Sequence, residues 1–266
     1  MKSTGSRHWP GILATIMLLA VLLLLVWLLP VFHLSEIETH GLRTLDETEI
    51  KAVSGLTPDQ HLLRGLGGSL THILQLRYAF AENNLKAAYP SIRTAVVQMD
   101  FPRKIIIDIE ERVEVAYLLV PDGCAVIDKS GYLIDILPTP PLGIPVINGL
   151  KVTSMTLGQA ISVDVPTVLN SAISLMGAII DADKDDRTDL KLLPTISTIL
   201  PVGGRNLYMV LILPGSRDEL HVAVEIGPDL REDMLWLRFA VAQGVLDNRG
   251  KGILDLTGTR RTFIPD

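Results

Sequence analysis

The sequence predicts one N-terminal transmembrane helix followed by α+β material, namely a β-α-α-β-β domain and a second β-rich domain with flanking helices. Three observations lead to this fold class: a charge-free apolar run at 11–32, a hairpin pattern at 92–112, and a succession of short strand patterns from 116 to 257. The expected organisation is a cytoplasmic tail, a membrane span, two outer domains and a short C-terminal tail. The corresponding bounds are 1–10, 11–32, 33–113, 114–260 and 261–266.

The apolar run has the length of a membrane span. Residues 11–32 would be roughly 33 Å long as a helix, against an apolar bilayer thickness of about 30 Å. A cleaved signal peptide has a shorter apolar region followed by small residues, whereas Pro30 and bulky side chains end this run. Lys2 and Arg7 precede the run and no basic residue follows it closely, so the N-terminus is predicted to be cytoplasmic and the outer domains extracytoplasmic.

Composition excludes some classes of partner and of covalent link. Lys2 and Arg7 are the only charged residues before residue 33, so the rest of the chain carries 22 basic and 30 acidic side chains. Nucleic acid is a poor partner for such a surface. Cys124 is the only cysteine, which rules out an internal disulfide, and it is expected to be a small, partly buried apolar residue.

The first outer domain begins with a strand pattern and two helix patterns. A short strand is expected at 34–41, and Thr44 with Glu47 has the spacing of a capping box that starts a helix ending at Gly55. A second amphipathic helix is expected at 70–88. The core candidates of that second helix are Ile73, Leu74, Leu85 and Ala88.

A hairpin is the clearest pattern in the first outer domain. Strands are expected at 92–100 and 105–112, joined by a turn at 101–104 in which Pro102 suits the second position. Alternation places one residue in two on the core face. These core candidates are Ala95, Val97 and Met99 on the first strand and Ile105, Ile107 and Ile109 on the second.

This order of elements resembles the POTRA domain of the bacterial division proteins FtsQ and DivIB. The resembling residues are Glu36-Ile37-Glu38 to Gly41, Thr48-Glu49-Ile50, Gly55-Leu56, Pro90 to Val97, Phe101-Pro102, Ile105 to Ile109, Glu110-Glu111-Arg112 and Val115-Ala116. The connection at 62–79 is longer than is usual in that family. A generic α+β adaptor module is the alternative. It would have the same architecture, but it would not identify a binding partner.

The second outer domain is dominated by short strands. Strands are expected at 116–120, 124–127, 132–137, 195–200, 206–213, 219–226 and 252–257. A helix capped by Asp164 and another that begins at Asp229 flank them. The segments Ile127-Asp128-Lys129-Ser130-Gly131 and Pro145 to Leu150, and the closing strand, also resemble FtsQ and DivIB. Arg260 and Arg261 are expected in a basic tail after the last strand.

No pattern in the chain predicts catalysis. Asp181, Asp183 and Asp185 have calcium-loop spacing, but Asp186 replaces the required glycine and Leu192 the required glutamate. The Gly-rich stretch 244–252 lacks the spacing of a phosphate loop, and the six histidines show no metal-binding pair. We therefore expect no catalytic residue, no cofactor and no metal site.

The resemblance implies a scaffold of the division machinery. It would hold small bitopic division proteins of the FtsB, DivIC and FtsL type and help to organise septal wall synthesis. An anchored adaptor of a secretion or cell-wall assembly and an anchored hydrolase remain as alternatives.

The predicted partner-binding site is the last expected strand, 252–257, which comes after all other elements and is expected at or near a sheet edge. Successive side chains of a strand point to opposite faces. Leu254 and Leu256 are therefore expected in the core, and Ile253, Asp255 and Thr257 on the other face. In the resembling family this region receives a segment of FtsB or its counterpart. Ile253, Asp255 and Thr257 are therefore the predicted contact residues.

Overall fold

The computed structural model describes residues 9–28, 30–213, 219–247, 249, 251–258 and 260–265. These residues fall into two compact units, Met1–Glu111 and Arg112–Asp266. The helices are α1 (Trp9–Leu28), α2 (Glu47–Ser54), α3 (Leu70–Leu74), α4 (Ala79–Ala88), α5 (Pro166–Ala182) and α6 (Leu230–Ala242). The strands of the first unit are β1 (Glu36–His40), β2 (Ile92–Asp100) and β3 (Lys104–Glu111). Those of the second unit are β4 (Glu114–Val120), β5 (Gly123–Asp128), β6 (Leu133–Leu137), β7 (Val146–Ile147), β8 (Val152–Ser154), β9 (Ser162–Val163), β10 (Ile196–Gly203), β11 (Asn206–Ile212), β12 (Glu219–Glu225), β13 (Gly252–Asp255) and β14 (Thr262–Pro265).

The N-terminal apolar run folds as α1, a helix of 20 residues. Its described side chains between residues 11 and 25 are exposed. Among the residues that the structure describes, no helix meets both the length and the hydropathy that a membrane crossing requires. The predicted span at 11–32 therefore stays a prediction.

The first unit has the predicted β-α-α-β-β order with one additional short helix. Its three strands form a sheet in the order β1-β3-β2, in which β1 is parallel and β2 antiparallel to β3. The predicted core face of the hairpin is confirmed, because Ala95, Val97, Ile105 and Ile107 are fully buried. These side chains pack beneath α2 and α4, in one core with Ile50 and Leu85 of those helices.

The single helix predicted at 70–88 is wrong, because the chain breaks between α3 and α4. Leu76 has a left-handed backbone (φ +55°) in the break, and Arg77 bridges to Gln98 beside β2. Tyr78 then enters the core, where its hydroxyl donates to the carbonyl oxygen of Leu62 at 2.5 Å.

The break also changes which side chains of that helix are buried. Leu85 is buried as predicted, but Ile73, Leu74 and Ala88 are exposed. A continuous amphipathic stripe would have put all four in the core. The break instead lets Tyr78 take the core position, and it leaves α3 without a buried residue.

The capping box predicted at Thr44 and Glu47 is also wrong. Asp46 is the N-cap of α2, and its Oδ1 accepts from the backbone N–H groups of Thr48 (2.8 Å) and Glu49 (3.1 Å). The hydroxyl of Thr44 instead donates to Glu111 of β3. The helix consequently starts at Glu47, and Thr44 belongs to the turn before it.

Glu111 holds that turn through several hydrogen bonds. Its carboxylate accepts from the backbone N–H groups of Arg43 (2.5 Å), Thr44 (3.1 Å) and Leu45 (3.4 Å) and from the Thr44 hydroxyl. Burial alone would raise the pKa of Glu111, but the hydrogen bonds from Thr44, Arg43 and Leu45 outweigh it and lower that pKa. The charged form of Glu111 therefore stabilises the first unit.

We expect Glu111→Gln to destabilise the first unit at pH 7 by about 1 kcal/mol or more, because hydrogen bonds to a charged acceptor are stronger than those to an amide. A carboxylate whose pKa is lowered on folding contributes stability above its unfolded-state pKa and loses it as pH falls through the folded-state pKa. The difference in unfolding free energy between wild type and variant should therefore shrink below about pH 4. Urea unfolding between pH 3 and 7 measures it.

Glu110→Gln is the matched control, because the neighbouring Glu110 is exposed and pairs only with surface groups, Arg93 at 3.2 Å and the Thr94 hydroxyl at 2.9 Å. Its effect should stay within about 0.5 kcal/mol. A Glu111→Gln deficit that is the same at pH 3 and pH 7 would contradict the assignment.

The second unit is a nine-stranded sheet with helices on one face. The strand order is β14-β13-β12-β11-β10-β7-β4-β5-β6, and β8 and β9 form a separate two-stranded sheet. The inner faces of the strands pack against α5 and α6 in one large core. On the opposite face, Tyr117, Cys124 and Val126 form a smaller buried cluster. All predicted strands of this unit are present, and β7, β8, β9 and β14 are additional.

The connection after α5 is held by one buried cation. Arg238 of α6 is 1% exposed, and its guanidinium donates to the carbonyl oxygens of Leu190 (2.6 Å), Asp185 (2.7 Å), Ala182 (2.9 Å) and Thr188. An arginine fork can satisfy several acceptors at once in a fixed geometry. The connection at 183–192 is therefore fixed to α6 through backbone groups.

Candidate partner-binding site

The predicted partner-binding strand lies next to the edge of the large sheet and is not its last strand. β13 ends at Asp255 and pairs with β12 on one side and with β14 on the other. The prediction of 252–257 as the closing strand with unpaired backbone groups is therefore wrong. The run Thr262-Phe263-Ile264, which we assigned to a basic tail, forms the edge strand β14, and its β-branched and aromatic residues were the available signal.

Gly252 allows the close approach of β14. A Cβ atom at this position would lie 2.4 Å from the carbonyl oxygen of Ile264 and 3.0 Å from the Cα of Pro265. Arg261, directly before β14, donates to Asp233 of α6 at 2.9 Å and lies over the Trp236 ring at 5.0 Å. The segment after β13 is thus fixed by the sheet on one side and by α6 on the other.

The predicted facing of the side chains in this strand is confirmed. Leu254 and Leu256 are each 2% exposed and belong to the core, whereas Ile253, Asp255 and Thr257 are partly exposed. Ile253 lies in register between His221 of β12 and Ile264 of β14. Ile253 and the half-exposed Ile264 thus form an apolar pair on the outer face.

Asp255 and Thr257 have a local partner in each other. The Oδ1 atom of Asp255 accepts from the backbone N–H of Thr257 at 2.8 Å and from its hydroxyl at 2.7 Å. This local turn ends the strand and uses one carboxylate oxygen.

A groove lies on the exposed side of α6. Its volume is about 490 Å³, and its lining includes Arg187, Arg231, Arg261, Trp236 and Phe239. Phe239 is about half exposed, and two acidic residues also line the groove. The three arginines in its lining are each paired with a carboxylate: Arg187 with Asp185, Arg231 with Asp181 and Arg261 with Asp233.

The aspartates with calcium-loop spacing have protein partners. Asp181 accepts from Arg231 at 2.6 Å, Asp185 accepts from Arg187 at 2.8 Å, and Asp183 accepts from the backbone N–H groups of residues 192 and 193. The two arginines lower the pKa of Asp181 and of Asp185 respectively. Among the described residues, no three His, Cys, Asp or Glu side chains are close enough together to hold a metal ion.

One arrangement in the first unit superficially resembles a hydrolase triad. The Ser69 hydroxyl lies 2.6 Å from Nδ1 of His72, whose Nε2 lies 3.4 Å from the Glu82 carboxylate. However, Ser69 is the N-cap of α3 and accepts the backbone N–H of His72. Glu82 accepts two hydrogen bonds from Arg77 (2.8 and 2.9 Å) and one from the backbone N–H of Val97. These groups act as structural hydrogen-bonding partners.

Two motif residues of the second unit also have structural roles. Arg112 donates to Asp128 at 2.5 Å and lies over the Tyr132 ring at 4.0 Å. The other oxygen of Asp128 accepts from the backbone N–H groups of Ser130 (2.8 Å) and Tyr132 (2.9 Å). The Asp and Gly of this Ile-Asp-x-x-Gly segment therefore shape a turn.

The comparisons with known proteins agree with this architecture. Residues 32–112 match the family model described as POTRA domain, FtsQ-type. The chain is 26% identical over 134 residues to the cell division protein FtsQ of Corynebacterium glutamicum, which covers 50% of this chain and 54% of that protein. The chain thus spans about half the length of this curated relative.

A solved structure is also similar. It is the major extracytoplasmic domain of the bacterial cell division protein DivIB from Geobacillus stearothermophilus, at 16% identity and a TM-score of 0.32. The similarity covers 53% of this chain and 99% of that chain.

The first unit is therefore a POTRA domain of the FtsQ type, followed by a β-rich domain. The resemblance seen in the sequence is confirmed: residues 32–112 match the FtsQ-type POTRA domain, and half of the chain is similar to an FtsQ cell-division protein.

Proposed function

We propose that the chain is a membrane-anchored scaffold of the bacterial division machinery. Residues 11–32 anchor it with a cytoplasmic N-terminus, and both outer domains are extracytoplasmic. The scaffold holds small bitopic division proteins of the FtsB, DivIC and FtsL type and thereby helps to organise septal wall synthesis. It acts by binding, without a cofactor or catalytic residue. The observation that carries the proposal is the FtsQ-type POTRA domain at 32–112, which directly follows a charge-free run of membrane length.

The contact surface that we propose lies at the β14 side of the large sheet. β14 supplies the edge whose outer backbone groups a partner strand would satisfy, since β13 is paired on both sides. Ile253, Asp255 and Thr257 stay the proposed side-chain contacts, and Ile264 extends the same face by register. A partner segment added to β14 would place its side chains beside Ile264 and then Ile253.

We expect Ile253→Glu to weaken capture of the small bitopic partner by about tenfold, because a charge replaces an apolar contact at the centre of the surface. The melting temperature should change little, since Ile253 is only partly buried. Leu254→Glu should damage folding itself, because Leu254 is 2% exposed. Titration of the FtsB-type partner into the reconstituted chain, together with a thermal melt, measures both effects.

Ile212→Glu is the matched control for this experiment. Ile212 is 46% exposed on the same outer face of the sheet, on β11, which is separated from β14 by two strands. The control should bind the partner as wild type does. Equal capture by folded wild type and Ile253→Glu would disprove the proposed contact.

A division scaffold and a secretion or cell-wall adaptor differ in their partners. Co-purification from detergent-solubilised membranes, followed by identification of the small membrane proteins retained, distinguishes the two. Recovery of FtsB-type and FtsL-type proteins is the expected result. Recovery of secretion components without any division protein would replace the proposal with the adaptor function.

A further inference from the structure

The exposed apolar side chains of the POTRA domain are concentrated in a few segments. Within residues 30–111, the large hydrophobic side chains that are strongly exposed are Val31, Leu63, Leu70, Ile73, Leu74 and Phe101. Neither α2 nor α4 contributes one. We call this set the apolar tip. Exposed apolar side chains that occur together mark an interaction site more often than scattered ones do.

The short helix α3 contributes the most exposed members of the apolar tip. Leu70 is 80% exposed and Leu74 is 85% exposed, and Ile73 is exposed by about half. Positions i, i+3 and i+4 lie on the same face of a helix. α3 therefore presents a continuous apolar face to the surroundings, and it lies in the connection that is long for this family.

Hydrogen bonds and ring contacts bring the contributing segments to one end of the domain. The backbone N–H of Leu62, next to Leu63, donates to the carbonyl oxygen of Phe32 at 2.8 Å. The Phe32 ring lies 6.2 Å from the Phe101 ring at the tip of the hairpin. Just after α3, the carbonyl oxygen of Leu76 accepts from the backbone N–H of Met99, two residues before Phe101, at 2.9 Å.

This end of the domain is where the chain arrives from α1. Three residues separate Leu28, the last residue of α1, from Phe32. Such a short connection spans at most about 14 Å. If α1 crosses the bilayer, Phe32, whose ring contacts Phe101 of the apolar tip, is held within that distance of the end of α1.

Charged side chains of both signs surround the apolar tip. Arg64 and Arg103 are exposed beside Leu63 and Phe101, and within the described part of the chain neither is ion-paired with a carboxylate. Three exposed acids also lie here: Asp100, Asp59, whose backbone N–H donates to the carbonyl oxygen of Leu34 at 2.9 Å, and Glu36, which is in register with Lys104. An exposed apolar centre with charged residues at its margin can bind at the membrane interface, where burial of the apolar side chains supplies the attraction.

We propose that the apolar tip of the POTRA domain rests in the interfacial region of the bilayer that α1 spans, with Leu70, Ile73 and Leu74 among the lipid headgroups and upper acyl chains. This inference rests on the proposed function, because it needs α1 as the anchor. The contact fixes the POTRA domain against the membrane surface and restricts its rotation about the short connection.

The test uses the full chain with Cys124→Ala and one new cysteine, carrying the polarity-sensitive fluorophore NBD. Leu74→Cys places the label in the apolar tip. Ala88→Cys is the control, because Ala88 is exposed at the other end of α4, about 15 Å along that helix from Tyr78. The labelled chain is reconstituted in vesicles of phosphatidylethanolamine and phosphatidylglycerol, with or without lipids that carry a nitroxide quencher near the headgroup.

Nitroxide lipids should reduce the fluorescence of the label at residue 74 at least about twofold and leave that at residue 88 nearly unchanged. In a chain labelled at Leu63→Cys, the added pair Leu70→Glu and Leu74→Glu should reduce quenching at residue 63. The melting temperature should stay the same, since both leucines are exposed.

Three results would overturn the inference. In the first, the label at residue 74 is no more quenched than the label at residue 88, while the chain resists alkaline carbonate extraction. This result would disprove the lipid contact but would still support α1 as a membrane anchor. A label that is shielded from water but not quenched by lipid shows that a protein, either a second copy or a partner, covers the apolar tip. Release of the chain by alkaline carbonate would show that α1 is not a membrane anchor. It would then disprove both this inference and the proposed membrane-anchored function.

Discussion

Ile107→Asp should abolish cooperative folding of the POTRA domain. Ile107 is fully buried at the centre of β3, between Ile105 and Ile109 on the same face. The substitution removes an apolar side chain worth roughly 2–5 kcal/mol and buries a carboxylate with no partner, at a cost of several kcal/mol more. The sum approaches the whole stability of a typical domain, about 5–15 kcal/mol.

Hydrogen–deuterium exchange measured by mass spectrometry on the full chain locates this effect. Peptides from 92–111 should exchange at the rate of an unfolded chain, while peptides from the β-rich domain keep their protection. Ile106→Asp is the matched control, since Ile106 is adjacent but half-buried on the other face of the sheet. Similar protection in Ile107→Asp and Ile106→Asp would show that the face assignment of β3 is wrong.

Arg238→Leu should destabilise the β-rich domain by roughly 3–5 kcal/mol. The guanidinium donates to four backbone carbonyl groups at the end of α5 and in the connection after it, and leucine leaves all four without this donor. Chemical denaturation should show the loss, and exchange should rise first in peptides covering 183–192. Arg238→Lys should recover only part of it, because an ammonium group cannot reproduce the planar fork.

Arg231→Leu on the same helix controls for the loss of a positive charge. Arg231 is exposed and pairs with Asp181 at the surface. The expected cost is below about 1 kcal/mol. Equal destabilisation by Arg231→Leu and Arg238→Leu would mean that the buried hydrogen bonds of Arg238 contribute nothing beyond its charge.

Alternating patterns predicted the strands of this protein well. The second strand of the hairpin has a period of two, with Ile105, Ile107 and Ile109 on the core face and Ile106, Asp108 and Glu110 on the other, and its burial follows that pattern. The facing of Leu254 and Ile253 was predicted for the same reason. Such patterns are local, so the residue order alone contains them.

The missed features depend on contacts between distant residues. The break between α3 and α4 requires Tyr78 to reach the carbonyl group of Leu62 and Arg77 to reach Glu82 and β2. The helical spacing of Ile73 and Leu74 does not show that these contacts between distant residues break the helix. Thr44 had the spacing of a capping residue, yet Glu111, which is 67 residues away, binds its hydroxyl.

The candidate site was partly predictable. The residues on the outer face of β13 were identified correctly by alternation, but the pairing of β13 with β14 was not, because four residues of strand at the chain end give a weak local signal. The role of Arg238 was also missed. An arginine in an amphipathic helix is usually exposed, and only the tertiary fold shows that it reaches four carbonyl groups.

The two edges of the large sheet affect how copies of this protein behave at high concentration. The edge strands β6 and β14 have only five and four residues. Pro138 follows β6 directly and Pro265 ends β14, and a proline has no backbone N–H to donate to an added strand. A single short peptide can pair with such an edge, but a long run of hydrogen bonds from one copy to the next cannot form. The sheet is thereby protected against edge-to-edge aggregation.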